Sequence, residues 1–113
     1  MIIENEKDVL KYLKNMSEFE KRVLLFTFRI PSGKVTTYKR LANKIGDEKA
    51  FRAVGNALHK NPIPPYVPCH RVVRTDGRVV GDRRSVDIRK KLLRKEGIII
   101  IGDRVQLTEK NLF

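Results

Sequence analysis

Four of the chain's five prolines fall within one short stretch, Asn61-Pro-Ile-Pro-Pro-Tyr-Val-Pro68. No other feature restricts the fold as much. Each proline fixes its own φ, removes a backbone donor and pushes the residue before it out of the helical region. The stretch can be neither helix nor central strand, so it reads as a stiff, extended connection across the middle of 113 residues. The residue directly after it is held in a set direction. That residue is Cys69, the sole cysteine.

Upstream of the track the apolar residues recur at helical spacing. Residues 5–15 place Val9, Leu10 and Leu13 on one side of a short amphipathic helix, with Tyr12 and Met16 alongside. Ser17-Glu-Phe-Glu20 has the form of a capping box, opening a second helix with Phe19, Val23, Phe26 and Thr27 on its stripe. Pro31-Ser-Gly33 ends it. Thr36 or Thr37 then caps a third helix that buries Leu41, Ala42 and Ile45 and stops at Gly46. Asp47 and Glu48 suit the start of a fourth, running to about Lys60. Its inward positions read as Phe51, Val54 and Leu58, leaving Arg52, Asn56, His59 and Lys60 outside. Two short helices joined by a glycine turn have helix-turn-helix form, although any pair of antiparallel helices shares that pattern.

Downstream the pattern changes. Arg71–Arg74 and Arg78–Val80 around Asp76-Gly77 read as a β-hairpin. Residues 86–95 read as a basic helix, and Ile98–Ile101 with Arg104–Leu107 as a second hairpin whose isoleucines belong to the core. The expected architecture is a mainly α, winged-helix-like domain with a small β-hairpin. Residues 1–16 form a short helical extension and 17–113 the functional domain.

Charge narrows the partner. The net charge is +12, and residues 21–95 hold 20 basic groups against 5 acidic ones while both ends are near neutral. That is a folded basic surface rather than a charged tail, and it suits a polyanion, chiefly nucleic acid. A thermophile-like surface is the plainer account, but such surfaces add glutamate as well, and this middle region does not. No apolar run approaches the ~20 residues a membrane span requires, and the first residues lack a basic, then apolar leader. No membrane association and a cytoplasmic location are expected. A lone cysteine excludes a disulfide framework within the chain and a cysteine-rich zinc site; no metal or cofactor is expected.

A single cysteine is commonly a small buried hydrophobe. Here His70 and Arg71 stand next to it, and positive neighbours favour the thiolate, the nucleophilic form. The proline track also holds the sulfur in place, as a preorganised nucleophile requires.

Pro68-Cys69-His70-Arg71-Val72-Val73 resembles the PCHRV signature of the O6-alkylguanine-DNA alkyltransferases, the methylated-DNA–protein-cysteine methyltransferases. The likeness extends to Arg52-Ala-Val-Gly55 with Asn61-Pro62, to the segment Pro31 through Tyr38, and to Leu92-Leu93-x-x-Glu96-Gly97. It spans residues 17–97, the family's C-terminal DNA-binding and active-site domain. The resemblance implies a stoichiometric, irreversible transfer of the alkyl group from O6-alkylguanine in double-stranded DNA to Cys69. It implies that His70 takes the thiol proton through a water, that Glu96 orients the imidazole, and that Asn61 ties the turn before the cysteine. It implies that Arg52 fills the place of an extruded base, with Ala53 and Gly55 allowing close approach, and that Tyr38 and Thr37 contact the DNA. Val72, Pro64 and Arg83 are expected in the substrate pocket, His59 and Lys60 at most on phosphates, and the working form is a monomer.

Two departures stand out. The family's glycine-paired substrate loop is replaced by Gly81-Asp-Arg-Arg-Ser-Val86, and Asn56 stands where a small residue is usual. Other readings are an alkyltransferase-like protein that binds lesions without transfer, a group that lacks the reactive cysteine, and a helix-turn-helix regulator, which leaves the cysteine box unexplained. A cysteine hydrolase is more remote, because its histidine comes from a distant segment.

Overall fold

The structure is a computed structural model and describes residues 3–113. Among the described residues, five α-helices and two very small sheets surround two apolar clusters. The mainly helical class expected from the sequence is what forms.

Helix α1 (Glu6–Leu10) is shorter than the spacing predicts. Turns come after it, yet Val9 and Leu13 are both fully buried beside Val23 and Leu24 of α2 (Glu18–Phe28). Val9 and Leu13 thus belong to the same core as the residues after 17. Ser17 and Glu20 form the expected reciprocal cap on α2, each side chain accepting from the other's backbone N–H at 3.1 and 2.9 Å.

Strand β1 (Thr36–Thr37) runs directly into α3 (Tyr38–Lys44). Thr37, not Thr36, is the cap, and Gly46 at φ 101° ends the helix. A single 3-10 turn, Glu48–Ala50, leads into α4 (Phe51–His59). The buried face of α4 is Val54, Ala57 and Leu58. Phe51, expected inside, is 45% exposed, because it is the first residue of α4 and stands at the open end of the buried stripe.

The expected hairpin at Asp76-Gly77 does not form as a ladder. The turn itself is present, with Gly77 N–H donating to Arg74 O at 2.8 Å. However, β2 (Val72–Val73) pairs in parallel with β1, Thr36 opposite Val72 and Thr37 opposite Val73. Residues 77–79 turn instead to the β3 (Ile100–Ile101)–β4 (Arg104–Val105) hairpin, through Val105 N–H to Gly77 O and Val79 N–H to Asp103 O. The isoleucines alternate as a two-faced hairpin must. Ile98 is buried and Ile99 and Ile101 are exposed, so the run is only partly core. Helix α5 (Arg83–Lys95) is capped by Asp82 and seals the second cluster with Val86 and Leu93. The β1–β2 pairing does most for function. It sets the start of α3 beside the cysteine segment, although more than thirty residues separate them in sequence.

Candidate active site

Asn61 closes the proline track. Its amide Nδ2 donates to Val67 O at 2.8 Å while its Oδ1 accepts from Ile63 N–H at 3.1 Å. One side chain thus spans the loop that prolines cannot hold with their own N–H groups. Val67 and Pro68 are buried beneath it, and the chain turns through a single 3-10 turn, Cys69–Arg71, into β2. Cys69 is partly accessible, at a cavity of about 280 Å³ lined by Leu58, Asn61, Pro64, His70, Ser85 and Arg89 among others.

His70 is 3% exposed, and its Nε2 lies 2.9 Å from Glu96 Oε2. Arg71 grips the same carboxylate twice, Nε to Oε1 at 2.9 Å and Nη2 to Oε2 at 2.8 Å, and donates Nη1 to Ile30 O at 2.6 Å. Glu96 is the residue that closes α5, where a negative charge is disfavoured by the helix dipole. The bidentate guanidinium offsets that cost. Burial alone pushes the Glu96 pKa up, but the hydrogen bonds from Arg71 and His70 outweigh it and hold the group below the usual carboxylate range. Burial pushes His70 below the ordinary imidazole value, against the opposing pull of Glu96. At neutral pH the imidazole is therefore neutral beside an ionised carboxylate. In that state Nε2–H donates to Glu96 and leaves the Nδ1 lone pair free. A nucleophile, a base next to it and a group that fixes the base's tautomer are the parts of an activated-thiol site.

Tyr38 is the first residue of α3, and burial raises the pKa of its hydroxyl while Arg89 and Arg74 oppose the shift. The phenol stays protonated and able to donate. Its ring lines a second, larger groove of about 930 Å³ with Phe51, Gly55, Asn56, His59, Arg74 and Arg78. A Cβ on Gly55 would stand 3.8 Å from the Tyr38 ring, an ordinary van der Waals contact, so α4 lies against that ring with room for no more than a small side chain. Arg52, Ala53 and Asn56 are exposed on the outer face of α4.

Three expected site residues lie elsewhere. Thr37 is 4% exposed and its hydroxyl accepts from Arg40 N–H at 3.1 Å, so it caps α3 instead of facing outward. Arg83 occupies the first turn of α5 and reaches outward to Asp87 at 2.8 Å and Asp103 at 3.0 Å, away from the cysteine cavity. Ser85 and Arg89, two and six residues further along the same helix, line the cavity instead. Arg89 is anchored by Nη1 to Val80 O at 2.6 Å. The sequence signal for it is its i+4 spacing from Ser85, hidden among the other basic residues of α5. Val72 is core, 2% exposed with its backbone included, and does not line the cavity. Pro64 does line the cavity. His59 is exposed and borders both openings, and Lys60 is occupied by Glu20 at 2.8 Å.

Residues 18–98 match the family described as 6-O-methylguanine DNA methyltransferase, DNA binding domain. A methylated-DNA–protein-cysteine methyltransferase of Methanosarcina barkeri is 41% identical over 87 residues, which is 77% of this chain and 55% of that protein. One of Pyrobaculum aerophilum is 45% identical over 92 residues, 81% of this chain and 60% of that protein. The chain thus spans a little over half the length of these curated relatives. Among solved structures, Mycobacterium tuberculosis O6-methylguanine methyltransferase superposes with a TM-score of 0.67 at 38% identity, covering 71% of this chain and 48% of that one. S. pombe Atl1, in complex with damaged DNA containing O6-carboxymethylguanine, gives a TM-score of 0.76 at 28% identity and covers 88% of this chain and 97% of that one.

Proposed function

The chain belongs to the 6-O-methylguanine DNA methyltransferase family, and from that premise we propose that it repairs O6-alkylguanine in double-stranded DNA by transferring the alkyl group to its own Cys69. The observation that carries the reading is the partly open Cys69 next to a buried His70 that is held by Glu96. The Cys69 proton passes to His70 Nδ1 through a water. The thiolate sulfur then attacks the alkyl carbon on guanine O6. The S–C bond forms as the C–O bond breaks, and the electron pair stays with the guanine, which takes up a proton at N1. The thioether cannot release its alkyl group, so each chain turns over once. The lesion must leave the stack to reach the cavity. Arg52, exposed on α4, fills its place, and Tyr38, with a protonated hydroxyl, contacts the extruded nucleotide. No metal or cofactor takes part. Among the described residues no helix is long and apolar enough to cross a membrane. The proposed working form is a cytoplasmic monomer on duplex DNA.

The test is incubation with a duplex containing one O6-methylguanine, followed by intact-mass measurement and peptide mapping. We expect one methyl group per chain, on Cys69, and a Cys69→Ala variant that keeps its affinity for the duplex but takes up nothing. The near-complete overlap with Atl1 favours a second reading, binding of the lesion without transfer. An unmodified Cys69 in a chain that holds the damaged duplex tightly assigns that one. More than one equivalent of guanine restored per chain refutes the single-turnover step.

A further inference from the structure

Seven large apolar side chains stand exposed among the described residues, and six of them lie on α1 or the turns after it, in the proline track, on α5 or on the β3–β4 hairpin. The seventh is Phe51, 45% exposed at the first position of α4, immediately before Arg52. Phe51, Gly55 and His59 recur at i, i+4 and i+8 and form one side of the helix, with Arg52 and Asn56 next to it. That side faces the 930 Å³ groove, whose floor is the ring of Tyr38. The groove walls carry Lys39, Arg74 and Arg78 against a single acid, Asp76, which is itself drawn to Arg104 at 3.7 Å. An aromatic ring standing in water between cations suits a polyanion with stacked, apolar interior steps. A DNA duplex is such a ligand, and proteins that open its minor groove insert Phe, Leu, Ile or Met between base steps.

Resting on the repair reading above, we propose that Phe51 is a DNA-distorting wedge that enters the base step next to the extruded nucleotide, while Arg52 occupies the vacated position. The two side chains come from consecutive residues at the end of one helix, so a single approach of α4 delivers both. Phe51 holds the opened step apart; Arg52 replaces the lost base. A ring used only to staple the turn before α4 would be covered by its own chain, whereas this one keeps 45% of its surface open.

The experiment compares wild type, Phe51→Ala and Phe51→Leu by two readouts. The first is the single-turnover rate of Cys69 methylation, with saturating O6-methylguanine duplex and with the free O6-methylguanine base. We expect Phe51→Ala to slow the duplex reaction by roughly tenfold or more and to leave the free-base reaction unchanged, because only the duplex must be unstacked. Phe51→Leu, which keeps an apolar wedge, should recover most of the rate. The second readout is the fluorescence of 2-aminopurine placed beside the lesion, which rises when its neighbours unstack. Wild type and Phe51→Leu should raise it, and Phe51→Ala should not. Equal slowing on both substrates, or a Leu variant as slow as Ala, overturns the wedge. So does an Ala variant that unstacks the duplex as wild type does. If wild type itself leaves Cys69 unmodified, the repair reading fails, while the fluorescence comparison still decides the role of Phe51.

Discussion

Around Cys69 the charged groups find their partners inside the chain. Glu96 is held by His70 and twice by Arg71, and Arg71 also reaches Ile30 O. Along the outer face of α4 the reverse holds: Arg52, Ala53, Asn56 and the ring of Phe51 stand in solvent. The buried corner has its geometry before any ligand arrives, as a reacting group must, since disorder there costs rate directly. The exposed face is complete only against something else. One region therefore answers to pH and to packing, the other to the form of the substrate, and variants should separate the two.

The largest separation is expected at Glu96. Glu96→Ala leaves a guanidinium and an imidazole without their shared partner. The expected cost is about 2–3 kcal/mol, below the fully buried case because the Glu96 side chain keeps 13% exposure. The milder Glu96→Gln should slow methylation by roughly 10- to 100-fold, on duplex and free base alike, because His70 loses the anion that fixes its tautomer. Thermal melts and single-turnover rates check both. The pH dependence sharpens the result. The folded pKa of His70 lies below 6.5, so protonation favours the unfolded chain. The stability tied to His70 is fully present above pH 6.5 and declines as pH falls toward the lower folded value. The transfer rate should fall over the same acidic window, with its midpoint below 6.5. Glu96 pulls that pKa up, so Glu96→Gln should move the midpoint further down; an unmoved midpoint would show that Glu96 only supports the fold.

On the α4 face the expected pattern is the opposite. Arg52→Ala should change stability by no more than about 0.5 kcal/mol, since the side chain is exposed. It should slow repair in saturating duplex by roughly 10- to 100-fold and leave the free-base reaction intact, because flipping costs a few kcal/mol only in a stacked duplex. Equal slowing on both substrates would move Arg52 into the first group, among residues that hold the site. No slowing at saturating duplex would reduce it to a phosphate contact, recoverable at lower salt.

Legibility in the sequence divides along the same line. The Ser17–Glu20 box, the Gly46 stop and the Asn61 tie depend on a few adjacent residues, and short-range chemistry decides them. The pairing of β1 with β2 joins segments on either side of the helix-turn-helix, and nothing in Val72-Val73 distinguishes a parallel partner from a hairpin neighbour. Periodicity places Phe51 inside, because its spacing to Val54 and Leu58 does not show that it stands at the open end of α4. Arg83 and Arg89 share one basic helix. Which of them reaches the cavity depends on where Asp82 caps that helix and where Asp103 of a distant hairpin stands.

The smallest expected effect tests a residue that sequence puts on the DNA side and the structure puts on the inside. Thr37 is buried, and its hydroxyl accepts from the Arg40 N–H as the cap of α3. Thr37→Val keeps the volume and removes the acceptor, so it should cost about 1 kcal/mol of stability. Thr37→Ser, which keeps the hydroxyl, should restore most of the cap. Neither change should alter duplex affinity measured well below the melting transition, because no part of the side chain is open to a phosphate. A hydroxyl that already holds the Arg40 N–H cannot turn outward without leaving that donor unpaired. Melting curves and salt-controlled binding titrations on the same two variants decide it. If Thr37→Val keeps its stability and loses affinity, Thr37 belongs with Arg52 on the DNA-facing side, and the start of α3 rearranges when the duplex binds.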